Sequence, residues 1–171
     1  QMSGQITSFS QEYAFLSNFY PVPGGVQLPP ACGPRDQEPL LFPTVEHAYV
    51  AAKSQDFRVR EIVAKTSTPG KAKRFGALIE VRPDWEEVKI PIMTMLLAQK
   101  FAAGTLLADQ LLSTGAAELV EGNNWCDVFW GRCQCPTHCP TGKFSEAAGD
   151  NRLGGLLMRW RMLLDLKEGD K

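Results

Sequence analysis

Helix-start signals recur along this chain and limit what it can fold into. Thr44 is placed to cap one helix, whose apolar positions recur every three or four residues. Asp84 is placed to cap a longer helix, which the interior Pro91 should kink or divide. A chain with this pattern is expected to be rich in helix. Further helices are predicted over 56–65, from Ser67 or Thr68 onward, over 105–113 and over 151–169.

Strands are predicted to be few and short. The Pro and Gly residues between 21 and 39 predict a long loop or a wide hairpin connection. Residues 39–43 are predicted as a short strand that runs into the Thr44 helix, and residues 117–123 as another. Since no repeat and no linker divides the chain, we expect a single compact α+β, α-rich domain over residues 1–171.

The composition is that of an ordinary globular protein. With 44% hydrophobic and 22% charged residues and a net charge of -1, the chain is neither disordered nor a general polyanion binder. Recognition of one nucleotide at a loop or chain end needs no basic excess. We expect a cytoplasmic protein without a membrane segment or signal peptide, and five cysteines fit poorly with a secreted disulfide framework.

Familiar catalytic motifs are missing from the sequence. It has no Walker loop, GxGxxG, GxSxG or HExxH, and its two histidines lie far apart. Instead, polar and aromatic residues stand together in several stretches. These are "FLSNFYP", "FPTVEHAYVAAK", "RPDWEEVK", "LVEGNNWCDVFWG" and "NRLGGLLMRWR".

These stretches, with "KF" and "LLSTG" between them, follow the order of the NADAR or YbiA-like family, which the chain resembles over about residues 9–164. The resemblance implies a compact α-rich fold and cleavage of N-glycosidic bonds, with no cofactor required for catalysis. Family activities are of two kinds. One hydrolyses phosphoribosylamino-pyrimidine intermediates of riboflavin biosynthesis. The other removes ADP-ribose from guanine in nucleic acid, which would give the protein an ADP-ribosyltransferase toxin as its functional counterpart.

A carboxylate suits this chemistry, because breaking a ribosyl C–N bond builds positive charge on the sugar. Glu46 resembles the family's catalytic Glu and is our first choice, although an acidic residue in a first helical turn also favours the helix dipole. Asp127 matches a family acid, and its alternative is a turn-forming Asp. Trp85 matches a family active-site Trp, and its alternative is core packing.

Lys53 lies two helical turns after Glu46, on the same side of the predicted helix. Three roles stay open for it: a solvated lysine, a phosphate ligand, or an amine that forms an imine with opened ribose. His47 is expected to support the helix start. The remaining expected substrate contacts are Asn18, Phe19, Tyr49, Arg74, Trp125, Trp130, Asn151 and Gly154.

Each of these contacts has a structural alternative. Asn18 and Phe19 would suit a hairpin turn with a buried ring, whereas Trp125 and Trp130 would suit the core. Asn151 would suit a helix cap, and Gly154 a close approach of backbones.

Two stretches, 21–39 and 132–149, look expanded relative to the family pattern. The second contains four soft metal ligands, which could hold a structural zinc ion although C-x-C departs from the usual C-x2-C spacing. Free cysteines or a redox pair are the alternative. The four residues are Cys133, Cys135, His138 and Cys139.

Three functions therefore compete. The preferred one is hydrolysis of ADP-ribosyl-guanine in nucleic acid. Hydrolysis of a riboflavin intermediate, a phosphoribosyl small molecule, is the second. The third is a module that binds ADP-ribose or another NAD-derived ligand without turnover.

Overall fold

The structure is a computed structural model that describes residues 4–31, 38–135 and 148–169. The chain divides into two compact units: a central unit, Asn18–Ala102, and a flanking unit made of Gln1–Ser17 and Ala103–Lys171.

The central unit begins with a strand pair followed by four helices. β2 (Pro21–Gln27) pairs antiparallel with β3 (Leu41–Thr44). The first residues of the stretch predicted as a loop or wide hairpin thus form one strand of an antiparallel pair. Gly24 and Gly25 have φ of +77° and +73° where the register shifts, a conformation that glycine adopts without strain. The helices are α1 (Val45–Ala51), α2 (Phe57–Ala64), α3 (Pro69–Gly76) and α4 (Trp85–Lys100).

Two predicted caps are present. The hydroxyl oxygen of Thr44 accepts a hydrogen bond from the His47 amide at 3.2 Å, and Thr68 caps α3 in the same way. His47 itself supports the start of α1, as predicted. Its ring is buried between the Thr44 hydroxyl (2.8 Å) and the Thr66 carbonyl (3.2 Å), and burial lowers its pKa.

The predictions for α4 need two corrections. Asp84 precedes the helix but its side chain makes no cap bond, because Arg82 engages both carboxylate oxygens at 2.5 and 2.7 Å. Pro91 does not divide the helix, which is continuous from Trp85 to Lys100. Pro91 and Glu87 are both exposed, so water can bond the Glu87 carbonyl, which has no helical donor.

The flanking unit combines segments from both sides of the central unit. The first of these segments contains strand β1 (Gln5–Ile6) and then a 3-10 helix (Gln11–Leu16). Later come α5 (Leu106–Ser113) and α6 (Arg152–Gly169), which pack together. β1 (Gln5–Ile6) pairs in parallel with β4 (Glu118–Leu119), and β5 (Gly122–Asn123) pairs in parallel with β6 (Arg132–Cys133).

The core of the flanking unit receives the apolar side of α6. Leu153, Leu157 and Leu164 are buried, whereas Trp160 is only half-buried. The architecture is α+β and α-rich with short strands, which confirms the predicted fold class. Among the helices of the described residues, none is both long enough and apolar enough to cross a membrane.

Candidate active site

Glu46 lies in the first turn of α1 and is only 8% exposed. Its backbone amide donates a hydrogen bond to the Asn18 carbonyl at 2.9 Å, which ties the helix start to the segment before β2. A residue that serves only the helix dipole has no need of burial. The position of Glu46 is therefore that of an enclosed carboxylate at the positive end of a helix.

Helix α1 ends at Ala51, so Lys53 lies just after the helix and not on it as predicted, and it is half-buried. Burial lowers its pKa, the charge of Glu46 opposes this shift, and the charge of Lys73 adds to it. The structure thus brings Glu46 and Lys53 within electrostatic reach of each other, as their spacing predicts. Lys53 is not the fully solvated lysine of the first alternative.

Helix α3 closes this region from the side. A Cβ atom on Gly76 would stand 2.9 Å from Cγ1 of Val50 and 3.6 Å from Nζ of Lys53. Only glycine at position 76 lets α3 approach α1 this closely. The charge of Lys73, on α3, acts on Lys53. Arg74, also on α3, is exposed.

Two aromatic surfaces lie in the same unit. The rings of Tyr49 and Trp85 are tilted by 52° with centroids 5.0 Å apart, and both side chains are half-buried. Phe19 is 40% exposed, and Nζ of Lys73 lies 5.8 Å from its ring centroid. Trp85 and Phe19 are thus not the buried core residues of the structural alternatives.

Asn18 carries an unused acceptor. Its amide nitrogen donates to the Met93 sulfur at 3.6 Å, while its amide oxygen is buried without a hydrogen-bond partner among the described residues. Buried acceptors in this state are uncommon and often lie at functional sites. An N–H group of a ligand would satisfy this oxygen.

Asp127 lies in the flanking unit and shapes a turn. Its Oδ1 accepts hydrogen bonds from the amides of Trp130 (2.9 Å) and Phe129 (3.2 Å), and the Asn123 side chain bonds both its amide and its carbonyl. This is the turn-forming alternative. Proton donation by Asp127 stays a prediction. Trp125 beside it is 58% exposed, so it is not a core residue.

Gly154 follows its structural alternative, a close approach of backbones, whereas the Asn151 side chain bonds the backbone near β4 and not the amides of α6. The Asn151 side chain accepts from the Glu121 amide at 3.0 Å and donates to the Leu119 carbonyl at 2.9 Å. A Cβ on Gly154 would stand 2.1 Å from the Leu119 oxygen. Both residues hold the start of α6 against β4. Trp130 is half-buried with an edge-to-face contact to Phe129.

The predicted metal ligands are regrouped by the structure. Cys133 and Cys135 stand together with Cys126, which is outside the predicted set, whereas His138 and Cys139 lie outside the described residues. The sequence signal for Cys126 is weak, because six residues separate it from Cys133. The hydrogen bond with the Cys135 sulfur raises the pKa of Cys126 to about 11.

One cavity of the central unit has a volume of about 400 Å³. Ser54, Val59, Phe75 and Arg82 are among its lining residues, and none of the predicted catalytic residues lines it. We assign the site by its reactive groups, because the expected reaction needs an enclosed carboxylate and the acids of this cavity, Asp56 and Glu80, are both exposed.

Comparisons with known proteins agree with this chemistry. A family model described as NADAR domain matches residues 6–165. "N-glycosidase YbiA" of Escherichia coli (strain K12) is 32% identical over 163 residues, which are 94% of this chain and 88% of that protein. The NMR structure of the E. coli protein YbiA superposes with a TM-score of 0.72 at 30% identity, covering 100% of this chain and 91% of that one.

A second kind of relative carries a different name. "Riboflavin biosynthesis protein VVA0006" of Vibrio vulnificus (strain YJ016) is 31% identical over 153 residues. The matched region is 88% of this chain, which spans only 35% of the length of that protein.

Proposed function

Since this chain belongs to the NADAR family, we propose that it hydrolyses the ribosyl C–N bond of ADP-ribosyl-guanine in nucleic acid. Its relatives include N-glycosidases, and the chain is a glycosyl hydrolase of that type. The substrate is the new part of the proposal. What supports it is a set of charged and aromatic side chains in the central unit.

This set consists of a carboxylate, two ammonium groups and an aromatic face. Glu46 is hydrogen-bonded through its backbone to Asn18, which precedes Phe19. The Lys73 ammonium lies against Phe19, and its charge acts on Lys53. The charge of Glu46 also acts on Lys53 and raises its pKa.

The aromatic surfaces favour a substrate with two heterocycles. ADP-ribosyl-guanine has an adenine at one end and a guanine at the other, and flat rings stack on aromatic side chains. Phe19 and the Tyr49–Trp85 pair provide two such surfaces, both partly exposed. A phosphoribosylamino-pyrimidine has one heterocycle and would occupy one of them.

The two lysines favour a diphosphate between those heterocycles. The charge of Lys73 lowers the pKa of Lys53, so the two ammonium groups repel each other. A bound diphosphate would remove that repulsion. A single phosphate monoester carries comparable charge over fewer oxygens, so this argument is secondary to that from the aromatic surfaces.

The reaction follows from the carboxylate. As the bond between C1′ and the guanine nitrogen breaks, positive charge spreads over C1′ and the ring oxygen, and the Glu46 carboxylate stabilises it. Glu46 then takes a proton from water, whose oxygen joins C1′. That proton passes from Glu46 through solvent to the leaving nitrogen, so the carboxylate is restored and the products are ADP-ribose and unmodified guanine.

A paired substrate assay tests the proposal. We expect release of ADP-ribose from an oligonucleotide carrying ADP-ribosyl-guanine, with a kcat/KM at least about tenfold above that for a phosphoribosylamino-pyrimidine. Because the first substrate would use both aromatic surfaces, Phe19→Ala should weaken that reaction by about 5–100-fold for the loss of one stacked base. Leu78→Ala, which trims an 82% exposed side chain of the same unit, is the matched control.

The riboflavin-type reaction is the second candidate. Relatives named as riboflavin biosynthesis proteins, from Vibrio vulnificus and Zea mays, favour it. A higher kcat/KM on the pyrimidine than on the modified oligonucleotide would replace our proposal with this one. Tight binding of ADP-ribosylated DNA without any product would instead indicate a binding module.

Lys53 leads to a separate prediction. If its amine attacks C1′, the guanine nitrogen leaves with one amine proton, the ring oxygen takes the other, and an imine to the opened ribose remains. Borohydride added during turnover should then trap a secondary amine on the peptide that contains Lys53, detectable by mass spectrometry. Because burial lowers the pKa of Lys53, trapping should begin at a lower pH than for an ordinary lysine.

Substitutions of the two lysines provide controls for the trapping experiment. Lys53→Arg keeps a positive charge but cannot form the imine, so its adduct should vanish, whereas Lys73→Arg should keep it. Absence of any adduct in the wild-type protein under saturating substrate would restrict Lys53 to binding phosphate.

A further inference from the structure

Three cysteines of the flanking unit converge although the chain separates them. The sulfurs of Cys126, Cys133 and Cys135 all lie within 4.8 Å of one another, and those of Cys126 and Cys135 are 3.4 Å apart. Cys133 is fully buried, Cys135 is half-buried and Cys126 is exposed. The cluster thus has an inner side held by the protein and an outer side open to solvent.

The backbone holds the cluster in place. β5 and β6 pair in parallel so that Asn123 stands opposite Cys133, and the Gln134 amide bonds the Asn123 carbonyl at 2.6 Å. The Cys135 amide donates to the Cys133 sulfur at 3.3 Å. An N–H donor to a sulfur stabilises negative charge on it, as metal-bound thiolates require.

The spacing of the sulfurs fits a tetrahedral metal ion. With Zn–S bonds of about 2.3 Å, the corners of a tetrahedron lie about 3.8 Å apart. The 3.4 Å pair is slightly closer than this, and no pair exceeds 4.8 Å. Movements of an ångström or less would therefore bring the three sulfurs onto one face of the tetrahedron.

We propose that Cys126, Cys133 and Cys135 bind one soft divalent metal ion, and that zinc is the ion that suits them best. Three thiolates are soft ligands, and tetrahedral sulfur coordination is typical of zinc sites. Three protein sulfurs leave one position of the tetrahedron for another ligand. This set keeps two of the four ligands predicted from sequence and adds Cys126, and it is independent of the proposed glycosidase reaction.

The metal would fix the loop that carries Asp127. Cys126 directly precedes Asp127 and has φ of +66°, a left-handed conformation that is unfavourable for a residue with a side chain. A metal bond to its sulfur would hold that conformation. The bound ion would thus link the turn at Asp127 to β6.

Metal content measured on the 171-residue chain tests the site. Protein purified without chelator and given zinc should contain about one equivalent per chain, and Co²⁺ in its place should give thiolate-to-cobalt charge-transfer absorption. Cys126→Ser removes an exposed ligand without disturbing the core, so the folded variant should lose most of the bound metal. Cys135→Ser should do the same.

The matched control is Cys32→Ser, which removes one thiol from a distant part of the sequence and should leave the metal content unchanged. Circular dichroism checks that each variant is folded. Wild-type protein without stoichiometric metal, or Cys126→Ser and Cys135→Ser variants that keep it, would overturn the proposal. A Cys126–Cys135 disulfide in freshly purified wild-type protein would also overturn it.

Discussion

Replacing Glu46 by Gln should lower kcat on ADP-ribosyl-guanine by about 10²- to 10⁴-fold, the usual contribution of a positioned acid or base. Gln keeps the size of the side chain but has no charge to stabilise the ribosyl cation and cannot accept a proton from water. Binding of the substrate should change far less than kcat. Single-turnover kinetics with excess enzyme measure the chemical step directly.

The control for this variant is Glu87→Gln. Glu87 is an exposed acid in the first turn of α4, so this change removes a favourable charge at a helix start without touching the proposed site. We expect its kcat to stay within about twofold of wild type, since surface substitutions have small effects. Equal kcat for both variants would mean that Glu46 serves only the helix.

Replacing Gly154 by Ala should destabilise the protein by about 3 kcal/mol or more. The added Cβ would stand 2.1 Å from the Leu119 carbonyl oxygen and 2.6 Å from the side chain of Asn151. The oxygen belongs to a paired strand, so relief requires β4 and α6 to separate. Denaturant unfolding measures the change in the free energy of unfolding.

The neighbouring residue provides a control with the opposite sign. Gly155 lies one position along the same helix, and a Cβ there would meet nothing within 4 Å. Gly155→Ala should therefore stabilise the protein by about 0.5–1 kcal/mol, the difference in helix propensity. A similar loss of stability for both variants would show that the effect comes from the helix itself and not from contact with β4.

Local features of the fold were predictable from sequence, because the interactions behind them span only a few residues. Thr44 and Thr68 cap helices by bonds to amides three residues later, and the pattern of polar and apolar residues shows this directly. Asp84 shows the limit of such reasoning. Its carboxylate had two possible partners, the helix amides and Arg82, and the sequence does not rank them.

Features that depend on distant contacts were not predictable from spacing. Cys126 joins the thiol cluster only because β5 pairs with β6. The family resemblance suggested that Asn151 contacts substrate. Its side-chain amide instead hydrogen-bonds the backbone of Leu119 and Glu121, about thirty residues earlier. At Glu46 the spacing gave the shared side with Lys53, but its burial follows from packing of the whole central unit.

The pairing of β1 with β4 has a consequence for the order of folding. Gln5 and Glu118 are 113 residues apart, and the entire central unit lies between them. During synthesis from the N-terminus, residues 18–102 can complete their own contacts before β4, the strand that pairs with β1, has been made. The closing step then assembles α5, α6 and the turn at Asp127, so that turn should be among the last parts of the protein to form.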